Sequence, residues 1–208
     1  MRKLILVFLF IGSISVLNVQ AQNVRLNLYG NYAFDDKINI YNLNARLNGG
    51  FLYGGGLEYM LGPKFGTEIQ YQRLDSEMSF YYNYGGVSDA GRLNYSLNYV
   101  MAGFNNYMQL PSGIEPYYGL LLGMSIMDLQ SNNLNLESKV KFAWGARVGA
   151  NIALSRQLSL RVQAELRSIV ESIDADLNIN IGGINPAIST NSVLYQFNLG
   201  GGLVYKLK

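Results

Sequence analysis

Acid–base, nucleophilic and metal chemistry each need particular side chains, and this sequence lacks two of the most versatile. It contains no His and no Cys. Without His there is no Ser-His-Asp relay, and the commonest general base and metal ligand is gone. Without Cys there is no thiolate nucleophile, no disulfide framework and no lipid-modified cysteine. Carboxylates remain for acid–base work. Glu58 and Glu68 fall on adjacent segments with the same parity, and two such groups can divide acid and base roles. The alternation within each segment puts Glu165, Arg25, Lys141, Arg147, Arg161, Arg167 and Lys206 on the same polar side as these two. Three acids among six bases read as ion pairs that hold neighbouring strands in register, with a positive remainder. Glu58, Glu68, Arg147, Arg161 and Glu165 form the centre of that charge network. No catalytic, cofactor-binding or metal-binding residue is assigned. The Gly triplets at 54–56 and 200–202 lack the Lys-Ser/Thr of a phosphate loop.

The elements that must position these charges alternate with a period of two. From Val24 to Phe34 the even residues are Val, Leu, Leu, Gly, Tyr and Phe, and the odd ones begin Arg25, Asn27, Tyr29, Asn31. Successive strand residues point to opposite faces, so this segment has an apolar face and a polar one. The same alternation returns over 51–61, 65–72, 93–102, 117–126, 139–152, 158–167 and 193–207. The segment 158–167 is the cleanest, with Leu158, Leu160, Val162, Ala164 and Leu166 against Ser159, Arg161, Gln163, Glu165 and Arg167. In the fourth segment Leu93, Tyr95, Leu97, Tyr99 and Met101 form the apolar face, against Asn94, Ser96, Asn98, Val100 and Ala102. The polar faces are rich in Gly (Gly54, Gly56, Gly66, Gly119, Gly123, Gly145, Gly149). A solvent face would not be tiled with Gly, whereas the interior of a narrow barrel is only just wide enough for side chains.

The expected fold is therefore all-β: an eight-stranded antiparallel up-and-down transmembrane β-barrel over residues 22–208. Segments of about ten residues suit tilted strands crossing a bilayer. Connections at 62–64 and 155–157 are short, 105–115 is intermediate, and 35–50, 75–92, 129–138 and 168–192 are long and polar. Within 75–92, the run Phe80, Tyr81, Tyr82, Tyr84 reads as a strand extension above the membrane. Tyr29, Phe34, Tyr71, Tyr99, Tyr117, Tyr118 and Tyr205 lie near strand ends, where interfacial girdles sit.

Met1-Arg2-Lys3 followed by an apolar run to Val16 and a small-residue site at Val19-Gln20-Ala21 reads as a signal peptide over 1–21. Its two bases account for the net charge of +2, leaving 14 bases against 14 acids. No nucleic-acid partner is inferred from a neutral chain. The composition then makes sense: 208 residues, 49% hydrophobic and 14% charged, with 23 Gly and 16 Tyr, yet a mean hydropathy of only +0.07. That is the average of a lipid-facing stripe, a small polar lumen and uncharged loops.

The signal peptide, the eight amphipathic segments, the Pro116-Tyr117-Tyr118-Gly119 opening of the fifth and the Gly-rich last strand together resemble the small barrel-only outer-membrane proteins of Gram-negative bacteria (the "porin family", OmpA-, OmpX- and OmpW-like). Many of these end in an aromatic residue, whereas this chain ends Tyr205-Lys206-Leu207-Lys208. The resemblance implies a cell outer membrane location, contact with membrane lipid and lipopolysaccharide, and periplasmic chaperones and barrel-assembly machinery as partners during biogenesis. It implies a monomer with no cofactor. The function expected is non-enzymatic: a structural or interaction protein displaying four outer loops. The alternatives are a narrow passive channel or carrier for small or apolar solutes, and a soluble exported β-barrel.

Overall fold

The computed structural model describes residues 23–40, 43–84, 87–130, 139–170, 177–178, 187–188 and 194–207. Residues 1–21, expected from the sequence to be a signal peptide, lie outside them. Eight strands form the barrel: β1 (Val24–Ala33), β2 (Gly50–Met60), β3 (Phe65–Tyr84), β4 (Val87–Tyr107), β5 (Ile114–Gln130), β6 (Lys139–Ala153), β7 (Leu158–Val170) and β8 (Leu194–Lys206). Each pairs antiparallel with its neighbour in sequence, and β1 pairs with β8 from Arg25↔Lys206 to Ala33↔Asn198. That last ladder closes the sheet, so the barrel has no free edge across its membrane-crossing body.

The faces divide as lipid and lumen require. Leu28, Leu57, Ile69, Leu120, Val148 and Val162 point outward and are exposed. Between them along the strands, Asn27, Glu58, Glu68, Arg147, Arg161 and Gln163 are buried. This is apolar outside and polar inside, the reverse of a soluble barrel. Among the described residues no helix is long and apolar enough to cross a membrane.

Three expectations change. In β4 the faces are inverted: Tyr95, Leu97, Tyr99 and Met101 are buried in the lumen, and Val100 and Phe104 face lipid. Both faces of this segment carry apolar residues, so alternation alone does not fix its side. The register does: Leu97 stands opposite Leu74, and Val100 opposite the exposed Tyr71. Next, Tyr29, Tyr99 and Tyr117 are buried inside; Phe34, Tyr71, Tyr118 and Tyr205 are exposed on the outside. Lastly, 75–92 is mostly ladder. β3 and β4 stay paired from Phe65↔Asn106 to Tyr84↔Val87, which carries the run from Phe80 to Tyr84 as a strand extension. Short strands at Asp36–Ile40 and Leu43–Leu47 pair with each other, and the second pairs with β3.

A charge at the centre of the lipid face would meet hydrocarbon. Leu120, midway along β5 and 59% exposed, is the test position. Leu120→Arg is expected to destabilise the folded barrel by about 2–4 kcal/mol, read from urea unfolding in lipid vesicles; Leu110→Arg, beyond the strand in the β4–β5 turn, should change it little.

Candidate functional site

The lumen holds the charges, in layers. Nearest the short turns, Arg25 donates to Glu115 through both terminal nitrogens (2.8 and 3.1 Å), and Asn151 Nδ2 donates to the same carboxylate at 2.9 Å. Glu115 has no counterpart in the sequence reading, because it lies in the stretch 105–115 taken there as a connection.

The next layer crosses the whole barrel. Arg147 on β6 ion-pairs with Glu68 on β3. It also donates through Nε to Asn105 Oδ1 (3.0 Å) and through Nη1 to Gln70 Oε1 (3.0 Å) and the Tyr29 hydroxyl (3.3 Å). Arg161 on β7 donates to Tyr29 (2.8 Å), Tyr107 (3.2 Å) and Asn151 (2.9 Å), and lies 3.7 Å from Glu58. Tyr29 therefore accepts from two arginines and donates to Glu68. Glu58 accepts from Asn105 Nδ2 at 2.7 Å and from the Tyr107 hydroxyl at 2.5 Å. The Arg147, Arg161, Glu58 and Glu68 side chains are all fully buried. A buried charge is tolerable only when paired and hydrogen-bonded, and these meet that condition.

Glycines make the room. A Cβ at Gly66 would meet the Glu58 carboxylate, one at Gly56 the Glu68 carboxylate, and one at Gly103 would sit 2.9 Å from Arg147 Nη2. Glu58 and Glu68 stand opposite each other in register. Both carboxylates fit side by side because the lumen positions flanking them carry no side chain.

Above lies a layer of amides with the Glu165–Arg167 pair. Tyr117 donates to Gln163 (2.6 Å), Gln163 to Asn31 (3.3 Å), and Asn31 to Gln72 (3.3 Å). Arg167 donates to Glu165 through Nε and lies over the Tyr99 ring, 4.4 Å from its centre. Its two terminal nitrogens, Glu165 Oε2 and the Asn198 amide make no hydrogen bond within the protein. Farthest from the short turns, Leu52, Leu74, Leu97, Leu121 and Ala143 are fully buried in one apolar cluster that also takes in Ala33 and Ile169. Its members come from β1 to β7, so it too spans the lumen.

Of the charges read by parity, Arg25, Glu58, Glu68, Arg147, Arg161, Glu165 and Arg167 are buried, while Lys141 and Lys206 are partly exposed. With Glu115 added, four arginines face four glutamates. The positive remainder of the sequence reading disappears for those pairs. Among the described residues, no group of three or more acidic side chains is arranged to hold a metal ion.

The comparisons with known proteins fit this geometry. The family model for the outer membrane protein beta-barrel domain matches residues 5–205. The chain belongs to that family. It is a protein of the outer membrane, and the soluble alternative is set aside. No curated protein matches it in sequence. Solved structures of similar fold include Neisserial surface protein A, at 13% identity and a TM-score of 0.61 over 89% of this chain and 97% of that one. Another is OprG from Pseudomonas aeruginosa, at 13% identity and 0.56 over 88% and 95%. A third is the N-terminal β-barrel domain of Pseudomonas aeruginosa OprF, at 13% identity and 0.52 over 88% and 97%. At such identities the likeness is one of fold.

Gly66→Ala pushes a methyl against Glu58, which Asn105 and Tyr107 hold in place. It is expected to destabilise the barrel by about 1–3 kcal/mol. Gly62→Ala, in the turn with nothing within 4 Å of the new methyl, should be near neutral. Urea unfolding of both variants in vesicles checks the contrast.

Proposed function

We propose that this barrel is a closed, non-enzymatic scaffold of the outer membrane whose business lies in its extracellular loops and its contact with lipid. One observation carries the reading: two different fillings cross the lumen in series. The charge network ties β1, β2, β3, β4, β6 and β7 together across the interior, and the apolar cluster does the same nearer the outside. A passing ion would have to break a fully bonded set of buried ion pairs and then cross an apolar layer. Each step alone opposes flux.

The same geometry supports a non-catalytic role for the carboxylates. Glu58 and Glu68 are buried and saturated by Tyr, Asn and Arg donors, so neither presents a lone pair to a substrate. The charge network is structural on this reading: Glu58, Glu68, Arg147 and Arg161 hold strand register, while Glu165 pairs with Arg167 on its own strand. The partners that follow are outer-membrane lipid and lipopolysaccharide around the belt, and chaperones and assembly machinery during insertion, with the barrel acting as a monomer.

Planar-bilayer recording of the refolded barrel tests the proposal. The wild type should show no steady ion current. Neutralising the network with Glu68→Gln and Arg147→Gln should leave it closed, because the apolar cluster remains. Adding Leu74→Ala and Leu97→Ala to that pair should allow current. Steady conductance in the wild type would refute the closed reading and favour the channel.

A further inference from the structure

The outward face is not uniform around the barrel. On β8 it stays apolar or aromatic from Tyr205 up to Tyr195, and on β6 from Ile152 up to Val140. On β3 it runs only from Phe65 through Ile69 to Tyr71, and the next outward residue is Arg73. On β4 it runs from Phe104 to Val100, and the next position of that parity is Asn98, polar and buried beneath its neighbours.

The polar residues that interrupt the belt are one bonded group. Arg73 stands opposite Tyr53 on β2 and Asn98 on β4, and it pairs with Asp75 at 2.7 Å. Asn98 Oδ1 accepts from the Tyr71 hydroxyl at 2.7 Å, and Asn98 Nδ2 donates to Asp128 on β5 at 3.1 Å. The Tyr53 hydroxyl donates to Asp75 at 3.2 Å. Two belt tyrosines thus turn their hydroxyls toward the group, as residues at a membrane–water boundary do. The Arg73 and Asp75 side chains are 34% and 49% exposed, open to whatever surrounds the barrel at that depth.

Arg73 lies eight residues from Phe65, the first residue of β3, whereas Tyr195 lies eleven from Lys206, the last of β8. At about 2.5 Å of membrane depth per residue of tilted strand, the boundary sits at least about 5 Å lower on the β3–β4 side. Burying Arg73 and Asp75 in hydrocarbon would be far costlier than deforming the leaflet, which takes fractions of a kcal/mol per Å.

We propose that the β2–β5 facet carries a headgroup-binding notch. Polar lipid headgroups of the outer leaflet descend to meet Arg73 and Asp75, which Asn98 supports from a buried position beneath them, thinning that leaflet locally on one side of the barrel. The notch gives the protein a preferred orientation toward neighbouring lipids, and it adjoins the strands that project farthest outside.

Depth-dependent fluorescence quenching by lipids brominated at defined acyl positions tests this. The sole tryptophan is removed by Trp144→Phe, and single tryptophans are placed at Val100 on β4 or Leu199 on β8. Each is seven residues from the periplasmic end of its strand, Tyr107 and Lys206, and both face outward. In vesicles, the tryptophan of Val100→Trp should report a position about 5 Å nearer the outer headgroups than that of Leu199→Trp. Combining Arg73→Leu, Asp75→Leu and Asn98→Leu should abolish most of the difference. A second pair, Phe104→Trp and Leu203→Trp, each three residues from the same ends, should report equal depths. Equal depths at Val100 and Leu199, or a difference that survives the triple substitution, would overturn the notch. So would an opposite offset at Phe104 and Leu203, which would mean that the rigid barrel tilts instead.

Discussion

The interior of an eight-stranded barrel is too narrow for loosely solvated charge, and the ionised groups of its central layer find their partners across the lumen. That constraint organises this protein. Tyr29 is the clearest case: one hydroxyl, on the first strand, accepts from Arg147 and Arg161 and donates to Glu68. Through it the sixth, seventh and third strands are tied to the first. The ladders between neighbouring strands close the barrel around its circumference, while these side chains brace it across its diameter. Register slips of one residue would turn Glu58, Glu68, Arg147 and Arg161 toward lipid, so the same pairs that fill the lumen also discriminate against mispaired strands.

The glycines and the charges explain each other. Gly56, Gly66 and Gly103 look like weak points in a strand, since Gly packs nothing and loses entropy on folding. In place they are the clearance for two glutamates and an arginine. The outer half of the lumen uses the opposite device. There Leu52, Leu74, Leu97 and Leu121 meet one another, and van der Waals packing replaces ion pairing. Between the two fillings lies the layer with Arg167 and Asn198, whose hydrogen-bonding capacity is not met by protein; polar, enclosed groups of this kind are where bound water completes the bonding.

Much of this was legible in the sequence, for a physical reason. Period-two alternation reports the face of each strand wherever one side is polar, and in β1, β2, β6 and β7 it placed Arg25, Glu58, Arg147, Arg161 and Glu165 on the inner side where the structure has them. It failed in β4, where the lumen is apolar. Both faces of that strand offer apolar candidates, and the signal that could have decided it is the run of Leu52, Leu74 and Leu97 on paired strands, which emerges only once register is known. Glu115 was missed because Pro116 and Gly113 make its neighbourhood look like a turn. The outward position of Arg73 is hidden in the sequence because beyond Gln72 polar residues fall on both faces of β3, among them Asp75, Ser76 and Glu77.

The central claim is that the buried charges are bracing, held by their mutual pairing. A double-mutant cycle on Glu68 and Arg147 tests it most directly, using the free energy of unfolding in lipid vesicles for the wild type, Glu68→Leu, Arg147→Leu and the double variant. Each single change leaves an unpaired buried charge and should cost about 3–5 kcal/mol, and the double variant should cost clearly less than their sum. Single-variant losses that simply add would show that the two residues do not brace each other, and the account would fail there.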